Sequence, residues 1–375
     1  MRSGGSGRMQ SDPIPPRTFA AVFPALLGAI AAIVALSSLR DFDPPELARV
    51  GAPVTRGPGS VAAPREPPRL LFITLDGVRV DEFADCAWVK NLAKSDCSFP
   101  YLWSEIRAGR FEGTGMLVGN ARNLSLPGYQ TIYSGAAQDA TCPDNENCAQ
   151  VPVQTWLEKI RYARGLPPYE VAVIASWNKM PRAVEKDPGN LYVNAGVVDL
   201  MDPTHDREVP PELAALNAEQ AKKLPEWENA RADRYTFAYA RWYLARLRPP
   251  VLVMGLLDSD ELAHEDRYDA YRAQLRTFDG YIRTLIQDLK NAKLYENTII
   301  VVTTDHGRGS GYFGYAFQGH GPEWYLDHSK YGWAAISVPP AWQSRWAPIR
   351  AKLFDHAITQ RDIRPVVEGL MIPIR

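Results

Sequence analysis

Neither sign of charge is in excess in this chain. It carries 42 basic and 43 acidic residues, a formal net charge of -1. That leaves no basic surplus for a nucleic-acid backbone or an anionic membrane surface. Cysteine is scarce. The four present, Cys86, Cys97, Cys142 and Cys148, include no zinc-type CxxC spacing. They form two local pairs, and Cys142 and Cys148 bracket the short loop "PDNEN". Four cysteines allow three pairings, and the local one predicts two disulfides and a compartment outside the cytoplasm. No internal repeat is present, which excludes a repeat architecture. Length is not lacking: 375 residues, 46% hydrophobic, suit one large domain or two ordinary ones.

Charge is missing altogether from "TFAAVFPALLGAIAAIVALSSL", residues 18–39. About 20 apolar residues cross a bilayer core as a helix. Arg2, Arg8 and Arg17 precede the segment, and Asp41 and Asp43 follow it. The positive-inside rule then leaves residues 1–17 as a cytoplasmic tail and puts the rest of the chain outside. The expected element is a transmembrane anchor; the alternative is a signal peptide and secretion after cleavage. Residues 40–68, rich in Pro, Gly and Ala, read as an extended linker.

From residue 69 onward, short apolar runs read as strands buried on both faces: "RLLFITL" (69–75), "EVAVIAS" (170–176), "VLVMGLL" (251–257) and "TIIVVTT" (298–304). "AAISV" (334–338) is a weaker one. Between them, residues 269–292 place Tyr271, Leu275, Phe278, Ile282, Leu285 and Leu289 on one helical stripe. Residues 211–247 are also mostly helical, with a break near Pro225. The alternation predicts an α/β domain over 69–375, with a mainly parallel sheet, helices on both faces and a helical insertion over 178–250.

Ligands collect at the carboxyl ends of parallel strands. Asp76 ends the first run, Asp305 and His306 end another, and Asp258, Asp260 and His264 follow a third. His320 lies in "FQGHGPEW" and His328 in "YLDHSK". Asp and neutral His are good ligands for zinc and similar divalent ions. Each fragment alone is weak, and an aspartate after a strand usually marks a turn. The joint pattern predicts a metal centre. "NLSLPGYQTIYSG" (123–135) adds Ser125 just before Pro127. The plain reading makes Ser125 the N-cap of the helix that Pro127 helps start. The chemical reading makes it a nucleophile at a helix end that attracts phosphate.

The ordered set Asp, Ser-x-Pro, Asp-x-x-x-His, Asp-His-Gly, His-Gly resembles the alkaline phosphatase superfamily over about residues 69 to 340. It is most similar to the nucleotide pyrophosphatase/phosphodiesterase-like branch. The resemblance implies an alkaline-phosphatase-like fold and two divalent ions, zinc or alternatively manganese. Asp76, Ser125, Asp305 and His306 would hold one, and Asp260, His264 and His320 the other. Asp260, not Asp258, has the four-residue step to His264, and His320, not His328, has the following glycine. An asparagine about 20 residues past the nucleophile would hold a phosphate oxygen. Asn145 and Asn147 both qualify, Asn147 being preferred, and plain turn asparagines are an equal alternative. The chain departs from the C/S-x-P-x-R motif of sulfatases, with Tyr129 in place of the arginine. The implied activity is hydrolysis of small-molecule phosphate esters, diester or monoester. A phosphoryl or head-group transferase and a non-catalytic binding protein are the alternatives. Asp279 is expected to pack a helix, and His205 and His356 to lie at the surface.

Overall fold

The run Arg69–Leu75 is strand β1, and it sits at the middle of the sheet. The computed structural model describes residues 66–204, 209–222, 227, 230–310 and 316–373. The expected anchor at 18–39, all but the end of the linker, Pro225 and His205 lie outside the described residues. Among the described residues no helix is long and apolar enough to cross a membrane.

Among the described residues seven strands form one sheet: β1, β2 (Glu112–Leu117), β3 (Val171–Ala175), β4 (Tyr192–Ala195), β5 (Val251–Leu256), β6 (Thr298–Thr304) and β7 (Tyr331–Ser337). Their order is β2-β7-β6-β1-β5-β3-β4. The neighbours from β6 through β4 pair in parallel, while β7 runs antiparallel to both β6 and β2. The sheet is therefore mixed, with a parallel centre.

Both faces of the centre are covered, which is why its strands read as unbroken apolar runs. Leu71, Ile73 and Leu75 of β1 join one core cluster, and Leu70 and Phe72 the other. Helices Pro100–Arg107, Asp233–Leu247 and Tyr268–Asn291 cover the first face. Helices Ser125–Ser134, Trp156–Arg164 and Ile363–Met371 cover the second. Burying each large apolar side chain fully is worth about 1.5–3 kcal/mol. Tyr271, Leu275, Phe278, Ile282, Leu285 and Leu289, the predicted stripe, are all buried.

The stretch 178–250 differs from the expected helical insertion. Its residues 192–195 are edge strand β4, and its helix Asp233–Leu247 buries Tyr235, Tyr239 and Tyr243. The aromatic run there is packing within the sheet's own layers.

Register sets the height of the site. Leu75 pairs with Leu256 on one side and with Thr304 on the other. The residues that follow β1, β5 and β6 therefore leave the sheet at one level, at its carboxyl edge. Two disulfides, Cys86–Cys97 and Cys142–Cys148, close the loops where the local pairing places them.

Candidate metal and nucleophile site

Asp76 follows β1 directly, and its amide still bonds to the Leu256 carbonyl at 3.0 Å. Gly77 then turns the chain at φ 63°, a backbone region that costs glycine little. Its amide donates to Asp305 Oδ1 at 3.1 Å. The β1 turn thus holds the carboxylate that β6 delivers. Tyr129, on the helix Ser125–Ser134, donates its hydroxyl to Asp76 Oδ2 at 3.0 Å. One oxygen of each carboxylate is thereby satisfied. The others, Asp76 Oδ1 and Asp305 Oδ2, are buried with no hydrogen-bond partner among the described residues.

His306 completes this group. Its Nδ1–H donates to the Gly307 carbonyl at 2.7 Å, so Nε2 presents a lone pair. Nε2 lies 3.4 Å from Asp76 Oδ1 and 3.4 Å from Asp305 Oδ2. Three buried acceptors converge with no donor between them, an arrangement that repels itself unless a cation joins it. The electrostatics agree. Burial and then the neighbouring charge of Asp260 push the Asp76 carboxyl well above the usual range, and burial and Asp76 do the same to Asp305. The donor set, two carboxylates and an imidazole, fits a divalent ion. Asp76, Asp305 and His306 would hold it.

Ser125 sits on the rim of this group, 3% exposed, with Oγ 3.1 Å from His306 Nε2. It is not the helix N-cap. Leu124 occupies that place, no side chain caps from there, and Ser125 is the first helical residue. The capping role falls instead to Asn145, whose Oδ1 accepts the Leu126 N–H at 2.9 Å. Lys179 holds the Asn145 carbonyl at 3.1 Å. Asn147, the preferred of the two asparagines, is turned away and donates to Asp144 Oδ2 at 2.9 Å.

The second group lies alongside. Asp260 and His264 are one turn apart on helix Asp258–His264, with Nε2 3.0 Å from Asp260 Oδ2. His320 Nε2 is 3.2 Å from His264 Nε2 and 3.8 Å from Asp260 Oδ2. His320 Nδ1 donates to the Asn123 carbonyl at 3.0 Å. Asp260, His306 and His320 each place one donor atom within 4.8 Å of the others. Sequence reasoning missed Arg308, which follows "DHG" and is fully buried. Its guanidinium pairs with Asp260 Oδ1. Burial alone would raise the Asp260 carboxyl, but Arg308 and the two histidines hold it well below the usual range.

The competing sequence candidates are elsewhere. Asp258 accepts the Asp233 amide at 3.3 Å, and His328 faces Asp81 at 3.6 Å. His356 is exposed and pairs with Asp362 at 2.9 Å. Asp279 accepts the amides of Tyr101 and Leu102, at 2.7 and 2.9 Å, at the start of helix Pro100–Arg107.

The sulfatase family model matches residues 202–331, about a third of the chain. That segment contains Asp260, His264, Asp305, His306 and His320 but neither Asp76 nor Ser125. The soluble domain of lipooligosaccharide phosphoethanolamine transferase A from Neisseria meningitidis superposes with a TM-score of 0.51 at 12% identity, over 83% of this chain and 90% of that one. The integral membrane protein itself gives 0.52 at 13% identity, over 93% of this chain and 62% of that one. This chain thus spans less than two thirds of the membrane protein. A magnesium-bound TAB5 alkaline phosphatase mutant gives 0.47 at 11% identity, over 82% and 99%. No curated protein matches by sequence. The family model thus bears on the part of the chain that holds Asp260, His264, Asp305, His306 and His320, and the two transferase structures share its fold.

Proposed function

We propose that this chain is a metal-dependent hydrolase of phosphate esters with Ser125 as nucleophile. The observation that carries the reading is the position of Ser125 Oγ, at a helix start and 3.1 Å from His306 Nε2, on the rim of the unpartnered acceptors. A divalent ion held by Asp76, Asp305 and His306, zinc or alternatively manganese, would lower the pKa of the serine hydroxyl and neutralise charge on the phosphoryl oxygens.

The chain's own groups do the rest. The positive end of helix Ser125–Ser134 favours the anionic phosphoryl group beside Ser125. Asn145 fixes that helix start by accepting the Leu126 N–H, and its Nδ2 would offer a donor to a phosphoryl oxygen there. Ser125 Oγ loses its proton and attacks phosphorus, and the ester oxygen departs with its electron pair and takes up a proton. Water then attacks the phosphoserine, the P–Oγ bond breaks, and serine regains its proton. Tyr129 stands where a sulfatase would carry arginine and is committed to Asp76 instead, which favours phosphate over sulfate esters.

The two disulfides favour a compartment outside the cytoplasm. With an anchor at 18–39 and a linker over 40–68, the catalytic domain 69–375 would face the periplasm or the cell exterior. Nitrophenyl phosphate, bis-nitrophenyl phosphate and nitrophenyl sulfate test the activity together. Chelator-sensitive nitrophenolate release from either phosphate is expected. Release from the sulfate alone would overturn the reading. Release only after an alcohol acceptor is added would replace the hydrolase by a transferase.

A further inference from the structure

The two donor groups of the site differ in one respect. Among the described residues the first leaves buried acceptors without donors, and the second does not. Arg308 accounts for the difference. Its Nη1 pairs with Asp260 Oδ1, and its Nη2 lies 3.2 Å from His264 Nδ1. A guanidinium nitrogen can only donate, so His264 Nδ1 is the acceptor there. The His264 proton is then on Nε2, the atom that faces Asp260 Oδ2 at 3.0 Å and His320 Nε2 at 3.2 Å. A protonated Nε2 cannot ligate a metal, and Nδ1 is already engaged. His320 Nε2 in turn receives its donor from His264. Asp260 Oδ1, His264 Nδ1 and His320 Nδ1 are each engaged without a metal ion, and the one proton on His264 Nε2 is shared between Asp260 Oδ2 and His320 Nε2.

The arginine head is not free to swing aside. Its Nε donates to the Phe317 carbonyl at 2.7 Å and Nη2 to the Gln318 carbonyl. It is fully buried, so no solvent is available to receive it. Gly77 makes room for the pair. A Cβ at residue 77 would collide with Asp260 Oδ1 and stand 2.9 Å from Arg308 Nη1. Arginine is also the cation least able to give up its charge.

We infer that the guanidinium of Arg308 takes the place of the second metal ion, so that this centre holds one divalent ion, at Asp76, Asp305 and His306. This rests on the proposed reading for the first group and departs from the two ions that the family resemblance implies. Arg308 then supplies a fixed positive charge beside Asp260 and His264. It has no open coordination position and cannot activate water, so its part in the reaction is electrostatic.

The test is metal stoichiometry of the purified full chain, by elemental analysis after loading with excess zinc and desalting, and by calorimetric titration. Wild type is expected to hold one ion per chain. Arg308→Gln removes the cation but keeps a polar group, and is expected to hold two. Two ions in wild type would overturn the inference, as would a folded Arg308→Gln protein that still holds one. If Arg308→Gln fails to fold, the wild-type count alone decides between one and two. No bound ion in wild type would instead overturn the metal-dependent reading, which separates the two failures.

Discussion

The Tyr129 hydroxyl donates to Asp76 Oδ2 at 3.0 Å, and both residues are buried. The bond joins the helix that Ser125 begins to the end of the central strand. It satisfies one oxygen of Asp76 and leaves Oδ1 facing His306 and Asp305. Tyr129→Phe removes the donor and little volume. Hydrogen bonds that orient a metal ligand are typically worth about 10- to 100-fold in affinity. Zinc affinity, measured by competition with a chromogenic chelator, should fall by that amount. An unchanged affinity would mean that Asp76 needs no such orientation.

Asn145 and Asn147 separate cleanly. Asn145→Ala frees the Leu126 amide at the start of the helix that Ser125 begins. If the Asn145 amide donates to the phosphoryl oxygen as proposed, losing that donor should cost about 100- to 1,000-fold in turnover. Asn147 is exposed and bonds only within its own loop, so Asn147→Ala should leave turnover within about threefold, as surface changes usually do. Steady-state rates of the two variants check this, and a larger loss at Asn147 would reverse the assignment.

Asp279 gives a pH dependence of stability with a definite sign. Burial pushes its carboxyl up to about 6, although the Leu102 and Tyr101 amides pull the other way. The unfolded value is about 3.9. Between these values the folded state binds more protons than the unfolded state, so stability falls as pH rises. The contribution is fully present below about pH 4 and lost by about pH 6, amounting to about 3 kcal/mol. Urea unfolding of wild type and Asp279→Asn at pH 4, 5 and 6 should show a steeper decline in wild type. Parallel declines would remove Asp279 as the cause.

The central strands and most site residues are legible in the sequence for one physical reason. β1, β5 and β6 are buried on both faces, so their runs are unbroken, and each ends at a carboxylate that apolar packing cannot explain. Edge strands give no such signal. β2, "EGTGML", is mostly half-buried and carries two glycines, and β4 is only four residues long. The choice between Asn145 and Asn147 depends on the fold of a loop closed by Cys142 and Cys148, in which Asn145 reaches the Leu126 amide and Asn147 bonds to Asp144. Arg308 was hidden for a different reason. An arginine after "DHG" reads as solvated, and only its burial against Asp260 and the carbonyls of residues 317 and 318 shows otherwise. Ser125 differed by one residue from the expected cap, and that residue separates a hydroxyl spent on the backbone from one aimed at His306.

The central claim is that Ser125 carries the phosphoryl group. Because Ser125 does not cap its helix, Ser125→Ala should lose nearly all activity with little of the ~1 kcal/mol that a lost cap costs. Ser125→Thr should keep part of the activity. The direct measurement is acid quenching during turnover of a phosphate ester, followed by peptide mass mapping. The account predicts phosphate on the peptide containing "NLSLPGYQ", absent in Ser125→Ala. Phosphate on another residue, or a fully active Ser125→Ala protein, would contradict it.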